Sequence, residues 1–252
     1  MVLGSRIDAV DWQQCLDRIA DWASNRDSRY VCMCNVHSVV TARREAQFGR
    51  VINAADLAAP DGSPIAWYLR RKGFRKQERI NGPDLMLKCC ARAAAEGLSV
   101  FMYGGSQRTL ELLRNRLTRE FRGVRLAGWY APPFRRLTEA EDARVVRMIE
   151  TSGAQIVFVA LGCPKQEAWM HAHRGKIHAV MIGVGAAFDY HAGSVRRAPV
   201  WMRRAGCEWL HRLFSEPRRL WRRYLVTNTL FLAYLLSEVL RNAAGGTRRH
   251  RV

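Results

Sequence analysis

One feature narrows the fold more than any other: short apolar runs alternate with longer amphipathic segments. The runs are YVCMC (30–34), ADLAAP (55–60), LSVFMY (98–103), VRLAGW (124–129), AQIVFVALG (154–162) and HAVMIGVG (178–185). Among them lie helix-like segments at 36–47, 63–72, 83–97, 106–121, 138–152 and 163–175. This rhythm predicts an α/β fold, a Rossmann-like parallel sheet with helices on both faces. Ser106 ahead of QRTLELLRNRL, Thr138 with Glu141 three residues on, and Pro83 in a first turn all mark helix starts. In open sheets of this kind ligands sit at the carboxyl ends of the strands, against helix N-termini. The segments to search are therefore NVH (35–37), DGSP (61–64), GGS (104–106), GCPKQE (162–167) and GAAFDYHAG (185–193).

Length and charge bound the function. A chain of 252 residues can bury a full core, and the expected division is a catalytic-sized domain over 1–200 and an appendage over 201–252. The first 23 residues show no basic stretch leading into an apolar one, so export is not expected and a cytosolic location is. The seven cysteines are odd in number and form no CxxC pair, which supports neither a disulfide framework nor a zinc site and predicts reduced core residues. His171 and His173 lie two apart on an expected helix, where side chains diverge; both are expected at the surface and no metal is expected. The net charge of +19 calls for an anionic partner: nucleic acid, lipid headgroups or a phosphorylated substrate.

At the strand ends, Asp61 has two readings. Asp-Gly-Ser-Pro is turn chemistry in which a carboxylate bonds its own backbone, and it is also a carboxylate placed to take a proton from an attacking hydroxyl. Gly104, Gly105 and Gly162 would allow a backbone to approach a phosphate closely, although neither stretch completes a dinucleotide-binding or P-loop signature. Lys165, Gln166 and Glu167 open a helix, where they are either an ordinary first turn or contacts to a polar ligand edge. No Asp-x-Asp occurs, so a diphosphate here is expected to be met by arginine, Arg79 among them, and by helix N-termini rather than by a metal.

The last 50 residues carry 11 arginines against 3 glutamates. Pro217 suits the first position of a helix, and Arg218, Arg219, Arg222 and Arg223 follow on one broad face at its positive end, which something anionic should offset. The apolar stretch 225–240 spans about 24 Å as a helix, short of a hydrocarbon core of about 30 Å. It is expected to lie in the headgroup boundary with Trp209, Trp221, Tyr224 and Tyr234 as anchors, or else to pack on its own domain or a second copy. The final AAGGTRRHRV is expected to be a disordered basic end.

In order, CNVHSVV (34–40), PDGSPIAW (60–67), RINGPDLM (79–86), VFMYGG (100–105), GWYAPPFRRLTEAED (128–142), VALGCPKQEAWMHAH (159–173), VGAAFDYHAGSVRRAPVWM (184–202) and CEWLHRLFSEPRRLWRRYL (207–225) resemble the WecG/TagA/CpsF family of bacterial glycosyltransferases, and the match covers nearly the whole chain. The resemblance implies inverting, metal-independent transfer from a UDP-sugar to a polyprenyl-diphosphate-linked sugar in cell-surface polysaccharide synthesis. The protein would be peripheral on the cytoplasmic face of the membrane and use no cofactor. UDP-N-acetylmannosamine, its uronic acid and UDP-glucose are the donors it suggests. It makes Asp61 the general base, places Asn35 in the same pocket, and puts Arg79 and Gln166 on the nucleotide-sugar, with Gly104, Gly105, Gly162 and Lys165 beside them. Arg212, Arg218, Arg219, Arg222 and Arg223 would meet the acceptor diphosphate and the anionic membrane surface. Met33 stands where some members carry an active-site threonine. A homo-oligomer remains open, as do two other classes: a basic nucleic-acid-binding module, although no nucleic-acid motif is present and that partner is not expected, and a non-catalytic membrane scaffold.

Overall fold

The structure is a computed structural model that describes residues 1–246, apart from the side chains at 219 and 242–246. Strands β1 (Arg29–Cys34), β2 (Leu57–Pro60), β3 (Ser99–Gly104), β4 (Arg125–Tyr130), β5 (Ile156–Ala160) and β6 (Val180–Gly183) form one sheet in the order β2-β1-β6-β5-β3-β4. Every pairing is parallel. Each strand overlaps one of the six apolar runs. Such runs suit strands covered on both faces, and β3 is buried along its whole length. The edge strand β4, RLAGWY, is the exception, half-buried or exposed throughout.

The helices are α1 (Trp12–Ser24), α2 (Val36–Arg44), α3 (Ala46–Asn53), α4 (Ser63–Arg71), α5 (Gly82–Glu96), α6 (Gln107–Glu120), α7 (Glu139–Thr151), α8 (Lys165–His173), α9 (Ala187–Ala192), α10 (Val200–Arg204), α11 (Glu208–Ser215) and α12 (Pro217–Gly246). The pleat of β1 divides the core in two. Tyr30, Cys32 and Cys34 face one side with residues of α2, α3, α4, α7 and α8, while Val31 and Met33 face the other with residues of α1, α5, α6 and α9. The caps expected at Ser106 and Thr138 form, the latter as a full capping box with Glu141. The helix expected over 36–47 breaks at Glu45, whose backbone is extended, and α3 folds back on α2. Gly49 permits this, because a Cβ there would stand 2.8 Å from the Ala42 carbonyl oxygen.

The cysteines are free, and five of the seven are buried. His173 corrects the expectation of surface histidines. It is 3% exposed, with Nε2 2.8 Å from Asp142 Oδ2 and Nδ1 2.7 Å from the Trp169 carbonyl. His171 is exposed and turns instead to the Tyr30 hydroxyl, so the two rings diverge.

Helix α12 is 30 residues long, about 45 Å, and no described helix is both long and apolar enough to cross a membrane. Its inner face returns to the domain: Leu220, Thr227 and Phe231 are buried, and Leu230, Tyr234 and Leu235 pack on the core beside α2. The Arg43 guanidinium lies 4.6 Å from the Tyr234 ring centre, and Glu238 accepts from Tyr68 of α4 and from Lys72, which caps that helix. Tyr234 is thus held by the protein rather than presented outward. Tyr224 is also turned in, half-buried and 5.6 Å from the Trp209 ring. The outer face of the same helix exposes Trp221, Leu225, Val226, Leu232, Leu236, Val239 and Leu240. The stretch 225–240 therefore packs on its own domain along one side and leaves an aliphatic stripe along the other. Helix α12 continues through Gly246, four residues into the end expected to be disordered; 247–252 lie outside the described residues.

Candidate active site

The register of β1 and β2 sets Cys34 beside Pro60, so Asn35 and Asp61 leave the sheet as neighbours, and the Asp61 amide donates to the Cys34 carbonyl at 2.9 Å. Asn35 caps α2: its Oδ1 accepts from the Ser38 amide at 3.2 Å while Ser38 Oγ accepts from the Asn35 amide at 2.9 Å. That fixes the carboxamide with its oxygen toward the helix, and the side chain also faces Asp61 and helps hold its carboxyl down. Gly62, at φ 92°, turns the chain into α4 with its Cα hydrogens toward Asn35 Cβ.

The Ile80 amide donates to the Pro60 carbonyl at 3.0 Å, which brings Arg79 against the end of β2. Arg79 Nη2 donates to Glu208 Oε2 of α11 at 2.8 Å. From the same helix Arg212 faces Asp61, with its guanidinium 5.9 Å from the Tyr190 ring centre and its Nε buried without a hydrogen-bond partner among the described residues. Burial pushes the Asp61 carboxyl up to about 6; the Arg79 charge opposes this, Glu208 adds to it, and the Asn35 side chain and Arg212 oppose it in turn. The turn reading of Asp61 gives way to a carboxylate whose neighbours come from β1, from the 79–80 loop and from α11. A carboxyl poised near 6 is ionised at neutral pH and basic enough to take a proton.

Beside β1, α8 inserts two buried polar residues. Gln166 Oε1 accepts from the Gly162 amide at 3.2 Å, and its Nε2 donates to Glu167 Oε1 at 2.9 Å. Gly183 clears the space, since a Cβ there would meet Gln166 Nε2 at 3.0 Å. Glu167 is 1% exposed, its Oε2 lacks a partner among the described residues, and burial pushes its carboxyl up. Lys165 is exposed. Met33 is buried among Leu57, Ala59 and Ile80, so it offers no polar group.

Gly104 and Gly105 lie at the end of β3, four strands from β2 and about 19 Å away at roughly 4.8 Å per strand. There α6 leaves toward β4 while α8 leaves β5 toward β6, the switch point where open sheets hold ligands. Packing alone requires glycine at 104, because a Cβ would stand 2.5 Å from the Ala160 carbonyl oxygen.

The tail arginines divide. Arg223 is half-buried and faces His37, whose ring is pushed down to about 4 by burial and by that charge, with Nδ1 buried and unpaired among the described residues. Arg218 and Arg222 are exposed on the side of the aliphatic stripe, and the Arg219 side chain lies outside those described. Among the described residues no three His, Cys, Asp or Glu side chains are grouped as metal ligands.

A model of the WecG/TagA/CpsF glycosyl transferase family matches residues 1–245. The chain belongs to this family. It is similar to an N-acetylglucosaminyldiphosphoundecaprenol N-acetyl-beta-D-mannosaminyltransferase of Bacillus spizizenii, 31% identical over 93% of this chain and 90% of that protein. As a member of the family the chain is a glycosyltransferase, and the α/β fold expected from the alternation of runs is the fold observed.

Two residues that sequence reasoning passed over complete the site: Glu208, which binds Arg79, and Arg197, which binds Glu208. Glu208 read as one more charge in a basic tail and Arg197 as part of the 184–202 stretch without a role of its own, and no local spacing signals the pairing of Arg79 with Glu208, 129 residues apart.

Proposed function

We propose that this glycosyltransferase moves an N-acetylhexosamine from a UDP-sugar to a polyprenyl-diphosphate-linked saccharide, with inversion at the anomeric carbon and charge stabilisation by arginine rather than by a metal. The observation that carries it is the Asp61 carboxylate, raised to about 6 by burial and flanked by Arg79 and Arg212. Inversion in one displacement needs a base on the acceptor hydroxyl and positive charge on the departing diphosphate. Asp61 supplies the first, taking the proton as the new glycosidic bond forms. The guanidinium of Arg79 supplies the second as the bond from the anomeric carbon to UDP breaks. Asn35 holds the base, while Gln166 and the glycines Gly104, Gly105 and Gly162 line the route along the strand ends for the rest of the donor, with Lys165 at its rim. The mannosaminyltransferase relative puts UDP-N-acetylmannosamine first among donors.

Residues 1–200 would form the catalytic domain and the segment from 201 an appendage that docks it on the inner face of the plasma membrane. The outer face of α12 supports this, with Leu232, Leu236 and Val239 each more than 60% exposed on a helix whose other side is anchored to the protein. Arg218, Arg219 and Arg222 would meet headgroup phosphates, each contributing about 1 kcal/mol near an anionic leaflet. Arg212 and Arg223, turned inward, would meet the acceptor diphosphate. The test is a screen of UDP-sugars against a short-chain polyprenyl-diphosphate-linked N-acetylglucosamine with and without EDTA. Transfer from UDP-N-acetylmannosamine that survives EDTA is expected. Transfer abolished by EDTA and restored by a divalent ion contradicts the arginine-based mechanism.

A further inference from the structure

Resting on the assignment of Arg79 to the donor diphosphate, we infer that Glu208 is a positioning residue for transfer: through Arg79 it sets the charge that receives the leaving UDP only when the appendage is seated on the domain. The geometry is a four-part chain. Glu208 Oε2 accepts from Arg79 Nη2 at 2.8 Å and Oε1 accepts from Arg197 Nε at 3.1 Å, so one carboxylate holds two guanidinium groups. Arg197 in turn donates through Nη1 to Asp84 Oδ1 and through Nη2 to Asn81 Oδ1 at 3.0 Å. Asn81 and Asp84 form the capped start of α5, two and five residues beyond Arg79. Arg203 of α10 adds a longer contact to Asp84, at 3.9 Å.

The loop carrying Arg79 is thereby clasped at both ends, by Glu208 of the appendage on one and by Arg197, just ahead of the appendage and bonded to Glu208, on the other. The side chains of Arg79, Glu208 and Arg197 are all at least four-fifths buried, where a charge-assisted bond is screened less than at the surface. An arginine has five N–H donors. Glu208 engages Nη2 of Arg79, leaving donors on the rest of the fork for a phosphate. The carboxylate also stands among the charges around Asp61, with Arg79 and Arg212; Cys34 and Tyr224 are further titratable groups that feel Asp61 among the described residues.

Orientation and charge act in opposite directions, which makes the role measurable. Replacing Glu208 with glutamine removes an anion from beside the diphosphate site, which favours UDP in the ground state. One amide oxygen cannot bridge both arginines, so the aim of Arg79 in the transition state is lost. For Glu208→Gln we expect kcat to fall about ten- to a hundredfold, in line with the cost of misplacing a catalytic contact. UDP affinity by calorimetry should weaken by no more than about twofold. The acid limb of kcat/KM should move to lower pH as a negative neighbour of Asp61 is removed.

The deciding experiment is a double-mutant cycle on the full chain, with UDP as the binding probe. Turnover is read with UDP-N-acetylmannosamine and a short-chain polyprenyl-diphosphate-linked N-acetylglucosamine. In the Arg79→Ala background, Glu208→Gln should change kcat by less than about twofold. An equal fall in both backgrounds overturns the inference, as does a parallel loss of UDP affinity, kcat and melting temperature with an unmoved pH profile, the pattern of a plain structural staple. Wild-type turnover in Arg79→Ala alone overturns the donor assignment itself, and with it this inference.

Discussion

The Tyr68 hydroxyl donates to Glu238 Oε1 at 2.7 Å, joining α4 to a helix 170 residues further along the chain. The same oxygen accepts from Lys72 Nζ at 2.8 Å, and these two bonds, Lys72 first, hold the Glu238 carboxyl below its ordinary value. A depressed carboxyl stabilises the fold above its unfolded pKa and stops doing so as pH falls through the folded one. Glu238→Gln should therefore cost roughly 1 kcal/mol at pH 7, discounted for partial exposure, and progressively less as pH falls through the depressed folded value. Thermal melts of the two proteins across pH check this, with a constant difference at every pH as the contrary result.

Asp61 should show the opposite sign. Its folded value, about 6, lies above the ordinary 3.8, so the fold prefers the neutral acid, and that preference is lost as pH rises through 6. Asp61→Asn is expected to melt higher than the parent at pH 7.5, with the gap closing by pH 4. The acid limb of kcat/KM in the parent should bend near the same pH of about 6.

Gly104→Ala tests close packing at the switch point. Its φ of 118° is a conformation that side chains rarely adopt, and the added Cβ meets backbone at 2.5 Å. A loss of about 2–4 kcal/mol in denaturant unfolding is expected. Gly162→Ala, with nothing within 4 Å of its Cβ, should lose less.

The aliphatic stripe on α12 gives a fourth prediction. Leu232 and Leu236 are 65% and 61% exposed, so replacing both with serine removes little from the fold. Burying a leucine contributes about 1.5–3 kcal/mol, so binding to phosphatidylglycerol-containing vesicles should weaken at least tenfold per site. Turnover on a short, water-soluble acceptor should be unchanged. Retained vesicle binding places the membrane contact elsewhere.

How much of this was legible in the sequence follows from the range of the interactions. Ser106, the Thr138–Glu141 pair and Pro217 mark helix starts because caps act over three or four residues. The six apolar runs show the sheet because strands buried on both faces read as continuous apolar stretches. The nearness of Asn35 and Asp61 follows from the strand-end rule once both runs are read as parallel neighbours. What was hidden depends on contacts between distant segments. His173 lies on a short helix with no pronounced apolar face, and only the fold reveals that it is buried against Asp142. Tyr224 and Tyr234 read as interfacial anchors by residue type, yet the phase of α12 on the domain turns them inward. Glu208 looked like one of three acids in a basic tail, and its bond to Arg79 exists only because α11 returns to the end of β2.

The central claim is that a single half-buried aspartate activates the acceptor hydroxyl, and single-turnover transfer by Asp61→Asn tests it most directly. With enzyme in excess over a short-chain polyprenyl-diphosphate-linked acceptor and UDP-N-acetylmannosamine saturating, the transfer rate should fall by about 10²–10⁴. UDP should still bind within about twofold of the parent. A mutant that transfers at the parental rate contradicts the account.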